Sequence, residues 1–127
     1  MGAEAWSLEP VEAATVLRPA PGALRMARSF LWSTAAQGPV PPEMESATLL
    51  VSEVVSNALR HGASDAPISL ACRVEGETLR AAVLNRGPRF DPADNASAGC
   101  GLRLVARLSR RWGARPIGEG MEVWFEV

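Results

Sequence analysis

The sequence predicts an α+β sandwich with three helices packed on one face of a mixed β-sheet. Three observations carry that expectation. Patterned segments follow one another in the order β-α-α-β-β-loop-α-β-β. Residues 43–61 repeat apolar side chains at helical spacing. At the C-terminus, Met121, Val123, Phe125 and Val127 alternate with Glu122, Trp124 and Glu126, giving one apolar and one mixed face.

Taken in order, residues 1–10 read as a loose lead and residues 11–127 as one domain. Val11 to Leu17 suits an edge strand. Pro19–Gly22 breaks it, and Pro21 is placed to open a helix. That helix runs from Ala23 to about Thr34, with Leu24, Ala27, Phe30 and Leu31 at helical spacing. Gly38, Pro39, Pro41 and Pro42 end it. The second helix spans Glu43 to His61 and stops at Gly62, a usual C-terminal residue. Ile68–Val74 and Leu79–Leu84 are strands joined at Glu75–Glu77. Asn85 to Ala98 is rich in Gly, Pro, Asp, Asn and Ser and reads as a loop. A third helix is expected from Gly101 to about Trp112–Gly113. Arg115–Ile117 and Met121–Val127 close the chain as a hairpin around Gly118–Gly120.

Composition narrows the function classes. At 47% hydrophobic and 21% charged residues the chain is globular, which excludes a disordered tail. A net charge of -1 argues against a nucleic-acid binder, which must neutralise phosphates with cations. Every basic residue is Arg, so lysine chemistry is excluded. Cys72 and Cys100 are too few for a disulfide scaffold and lack metal-ligand spacing, which suits a reducing cytoplasm. The first ten residues lack the basic and apolar regions of a signal peptide, and no run is long enough for a membrane helix.

The second helix carries the chemistry. Val51, Val54, Val55 and Ala58 form the core-facing arc. Glu53, Asn57 and His61 follow at i, i+4, i+8 along a stripe beside it. Such groups are costly to desolvate unless paired, and a metal or phosphate meets that need. A solvated surface stripe is the alternative. His61 lies in the last turn, where a cationic imidazole suits the helix dipole; contact with phosphate or metal is its other use. Downstream, Asn85-Arg86-Gly87-Pro88 follows a strand, and Gly99-Cys100-Gly101-Leu102 opens a helix, where glycines let N–H groups approach an anion. Cys100, at a helix start, is placed to favour a thiolate. Arg103, Arg107, Arg110 and Arg111 fall along one side of the third helix, as a solvated basic face or a docking patch for an acidic partner.

Together these segments resemble the GHKL (Bergerat-fold) ATPase superfamily, and most of all its small members, the bacterial anti-sigma-factor serine kinases. Leu49-Leu50-Val51-Ser52-Glu53-Val54-Val55-Ser56-Asn57-Ala58-Leu59-Arg60-His61 resembles the family's asparagine box. Val83–Pro88 sits where its first glycine box belongs, and Gly99–Leu102 resembles its second. Arg111-Trp112-Gly113 before the last strand is also typical. The resemblance runs from about residue 20 to the C-terminus. It implies a Bergerat-type sandwich that binds ATP and Mg2+ in the cytoplasm. It implies Asn57 as the magnesium ligand and Glu53 as general base on a partner's serine. Asn57, His61, Asn85, Gly87, Gly99, Cys100, Gly101 and Leu102 would form the nucleotide site, under a lid over Arg86–Ala98. The implied partners are a sigma factor, sequestered by the chain, and an antagonist protein, phosphorylated by it; a homodimer is common in the family. A sensor-kinase catalytic domain fits less well, because no helix with a phospho-accepting His precedes this segment. Three positions depart from the family's pattern: Asn85 replaces an Asp, Arg89 replaces a Gly, and Met121 or Glu122 replaces a Thr. Strand parity turns Met121 inward. These departures bear on the adenine pocket and leave a non-catalytic partner-binding module as the alternative.

Overall fold

The structure, a computed structural model, describes residues 10–63, 65–87 and 102–127. The edge strand β1 (Val11–Leu17) leads into α1 (Ala23–Ala35) and α2 (Met44–His61). The hairpin β2 (Ile68–Glu75) and β3 (Thr78–Arg86) follows, then α3 (Leu102–Leu108) and a second hairpin, β4 (Arg111–Ile117) and β5 (Gly120–Glu126). The strands form one five-stranded sheet in the order β1-β2-β3-β5-β4.

The helices lie on the inner face. Leu70, Cys72, Leu79, Ala81, Val83, Val123 and Phe125 point from the strands into a core closed by Ala27 and Leu31 of α1, Leu50, Val51, Val54, Val55 and Ala58 of α2, and Leu102 and Val105 of α3. Strand alternation produces this split. In β2 the buried Ile68, Leu70, Cys72 and Val74 interleave with Ser69, Ala71, Arg73 and Glu75, which face away from the helices. Burying one such aliphatic side chain contributes about 1.5–3 kcal/mol, so the inner rows fix the register. Burial also pushes the Cys72 thiol up to a pKa of about 12.

Three expectations need correction. Each described strand pairing is antiparallel, so the sheet is not mixed. β3 and β4 do run in the same direction across the α3 connection, but β5 folds back between them. Secondly, α3 ends at Leu108, and Trp112–Gly113 belong to β4. Ser109 returns both its N–H and its hydroxyl to the Val105 carbonyl, and the Arg110 N–H bonds the Glu126 carbonyl at 2.7 Å, so the chain enters the sheet there. Gly113 does not stop a helix: it clears space on the outer face, where a Cβ would come within 2.7 Å of the Trp124 indole nitrogen. Arg110 and Arg111 are therefore not on the helix with Arg103 and Arg107: Arg110 lies in the link and Arg111 opens β4, so the expected basic stripe is broken up. Thirdly, β3 continues through Asn85 and Arg86, so the expected loop starts later than Asn85. Gly62 ends α2 as expected, in an extended conformation (φ -81°, ψ 172°).

Candidate functional site

The conformation of Gly62 shows what that glycine does. A Cβ there would lie 2.6 Å from the Ala58 carbonyl oxygen and 2.9 Å from Asn85 Nδ2. On the facing side, Gly87 holds φ +151°, and a Cβ on it would sit 2.9 Å from Gly62 Cα. The Ala63 N–H bonds the Arg86 carbonyl at 2.7 Å across this crossing. Two glycines thus bring the C-terminus of α2 against the end of β3. The helix stripe and the first glycine-bearing segment meet at one end of the sandwich.

Within this corner the polar residues of α2 are graded. Glu53 is half-buried, Asn57 is 2% exposed, and His61 is exposed at the helix end. Asn57 differs from its two neighbours on the stripe. Its Oδ1 is buried and has no hydrogen-bond partner among the described residues. A surface stripe needs no buried amide, and leaving such an acceptor unpaired costs about 1–3 kcal/mol. A carbonyl oxygen is a hard ligand of the kind Mg2+ accepts. Among the described residues no group of three His, Cys, Asp or Glu side chains could hold a metal. A cation held by Asn57 would need water or ligand oxygens to fill its shell, as Mg2+ commonly does. Glu53 forms no hydrogen bond or ion pair among the described residues.

Asn85 lies on the inner face of β3, 7% exposed, opposite Met121 of β5. Its Nδ2 donates to the Arg86 carbonyl at 3.3 Å, which uses the donor side of the amide. Oδ1 makes no hydrogen bond among the described residues. The inward position is occupied by Met121, 1% exposed, whereas Glu122 faces outward and accepts from Arg115 Nε at 3.0 Å. Leu102 is wholly buried in the core, so only its backbone remains for an anion. Gly99, Cys100, Gly101 and Arg89 lie outside the described residues, as does most of the expected lid.

Reasoning from sequence missed the paired Gly62–Gly87 approach. The signal was present as two glycines just beyond a helix and a strand, but only the packing shows that they face one another.

Residues 17–127 match the model of the histidine kinase-like ATPase domain. The match takes in α1, α2, the corner around Asn57 and Asn85, and the whole of the second hairpin. The chain belongs to the histidine kinase-like ATPase family. It is thus a GHKL-type ATPase domain, the class to which the Asn57 and glycine segments point. Among solved structures, that of the RsbU and RsbW domains of Rv1364c from Mycobacterium tuberculosis has the same fold, at a TM-score of 0.70 and 21% identity. That alignment covers 91% of this chain and 31% of the other, so the chain spans about a third of the protein it matches. No curated protein matches the sequence. No helix among the described residues is long and apolar enough to cross a membrane.

Proposed function

We propose that residues 11–127 form one ATP- and Mg2+-binding unit that acts as a serine kinase on a partner protein, in the manner of the anti-sigma-factor kinases its asparagine box resembles. The buried, unpartnered Oδ1 of Asn57 carries this reading. Asn57 is the magnesium ligand, and Asn85 accepts from the adenine amino group through its amide oxygen. Gly87 sets the entrance to the pocket beside Gly62, and His61 stands exposed at the rim. The phosphate-binding role of Gly99, Cys100 and Gly101, with the backbone of Leu102, rests on the resemblance of their segment to the family's second glycine box.

Magnesium-bound ATP would supply the transferable γ-phosphoryl group, with ADP as the leaving group. Glu53 takes the proton from the attacking serine hydroxyl, a task suited to a half-buried carboxylate with no competing ion pair among the described residues. The partners we assign are a sigma factor and its antagonist, met in the cytoplasm, with the chain acting as a homodimer. The shared fold with a protein bearing an RsbW domain supports the assignment.

One observation favours a second reading. Met121 fills the inward position opposite Asn85, which suits a weakened adenine pocket and a partner-binding module without catalysis. Phosphotransfer from γ-labelled ATP to the antagonist separates the two. The parent chain should label a serine, and Glu53→Gln should bind ATP without transferring phosphate. Normal transfer by Glu53→Gln overturns the assignment of the base, and no transfer by the parent chain favours the second reading.

A further inference from the structure

The outer face of the sheet carries a single row of charged residues that crosses all five strands in register. Glu12 of β1 stands opposite Arg73 of β2, Arg73 opposite Arg80 of β3, Arg80 opposite Glu126 of β5, and Glu126 opposite Arg111 of β4. The juxtaposition of Arg73 and Arg80 is unfavourable in itself, because like charges directly opposite destabilise a strand pair. Each guanidinium turns to its own carboxylate. Arg73 bonds Glu12 and, through Nη2 at 2.9 Å, Glu75. Arg80 donates from Nη1 to Glu126 at 3.1 Å and stacks 4.0 Å from the centroid of the Trp124 ring. Glu126 also accepts from Arg111 Nε and Nη2 at 2.9 and 3.0 Å. Arg111 first, and Arg80 after it, hold the Glu126 carboxyl below its ordinary range, so it stays ionised.

The acceptors are thus taken and donors remain. A cleft of about 640 Å3 is lined by Arg73, Arg80, Arg110 and Arg111 against two carboxylates, Glu75 and Glu126. With Glu12, which pairs with Arg73 at the edge of the cleft, four guanidiniums face three carboxylates, a local surplus of one on a chain whose net charge is -1. The side chain of Arg110 is exposed and has no ion pair or hydrogen bond among the described residues. A guanidinium carries five N–H donors, and Arg80 spends one of them on Glu126. From β2 to β4 the row crosses three strand spacings of about 4.8 Å, or roughly 14 Å. That is wider than one phosphate or carboxylate can bridge. It matches about four or five residues of extended chain at roughly 3.3 Å each.

We propose that this outer-face cleft docks an extended acidic segment of a partner protein, whose carboxylates pair with Arg73, Arg80, Arg110 and Arg111. The surface lies on the side of the sheet opposite the helices and the Asn57 corner. Docking and nucleotide binding are therefore separable, and the inference does not rest on the kinase reading.

Anisotropy of a fluorescein-labelled hexaglutamate peptide, titrated with the full chain, tests it. Binding should be saturable and should weaken steeply as salt rises, since exposed charges are screened. Arg110→Gln, which breaks no side-chain bond among the described residues, should weaken it measurably, and Arg73→Gln with Arg110→Gln should do so by about tenfold or more. Melting curves should show the variants folded, and their ATP affinity should equal the parent's. No binding, or equal binding by the folded double variant, overturns the proposal. It is equally overturned if inorganic phosphate displaces the peptide at matched charge concentration, which marks a small-anion site. Loss of self-association in Arg80→Gln, with the peptide excluded from the parent dimer, would assign the face to a second copy and also overturn it.

Discussion

Replacing Asn57 by leucine separates a structural amide from a functional one. The two side chains have the same branching, so the substitution removes the orphaned Oδ1 without opening a cavity. An unsatisfied buried acceptor costs about 1–3 kcal/mol, and leucine is also the better helix former by a few tenths of a kcal/mol. Nucleotide-free Asn57→Leu should therefore be more stable than the parent by about 1–3 kcal/mol. For a domain of this size that raises Tm by roughly 3–10 °C. The same change removes the carbonyl oxygen offered to Mg2+, so the thermal stabilisation by ATP that depends on Mg2+ should vanish. Chemical denaturation of the free protein and thermal shifts with ATP, with and without Mg2+, measure the two effects. A variant less stable than the parent, or one that keeps its Mg2+-dependent shift, refutes the reasoning.

Two further outcomes follow from the same geometry. Asn85→Asp loses the donor that bonds the Arg86 carbonyl at 3.3 Å, so stability without nucleotide should fall by about 1 kcal/mol. A charged acceptor holds the adenine amino group more strongly, and ATP affinity should rise about five- to thirty-fold by titration; lower stability with no gain in affinity favours the non-catalytic module. Cys72 has a thiol pKa raised by burial from 9.0 to about 12, so iodoacetamide should leave it unmodified at pH 8 until the chain unfolds. Because the folded state holds the proton more tightly, this group's contribution is complete below about pH 9 and is lost as pH rises towards about 12; denaturation curves across that range should show falling stability.

Much of the sandwich was legible because its elements are strongly patterned. The strand Val11–Leu17 and the helix ending at His61 fall where alternation and helical spacing put them. The inward turn of Met121 follows from strand parity alone. The third helix was read too long because Arg110–Gly113 carry no local breaker that outweighs helical spacing. Pairing of Trp112 with Phe125 and of Gly113 with Trp124 draws that stretch into the sheet, a tertiary effect that propensity does not contain. For the same reason the sheet's antiparallel order was hidden: it depends on β5 inserting between β3 and β4. At the site, sequence supplied the residue types but not their burial. Periodicity could place Glu53, Asn57 and His61 on one stripe; it could not show that Asn57 alone is sealed from water. The charge row from Glu12 to Arg111 was invisible because it is a register property, set by how five strands pair and not by any local pattern.

Nucleotide binding at the Asn57 corner is the central claim, and calorimetric titration of the full chain with ATP, in the presence and absence of Mg2+, tests it most directly. The expected result is saturable binding of one ATP per chain, stronger with Mg2+, and loss of the Mg2+-dependent part in Asn57→Ala. No heat and no thermal stabilisation at millimolar ATP with Mg2+, or an Mg2+ dependence unchanged in Asn57→Ala, contradicts it.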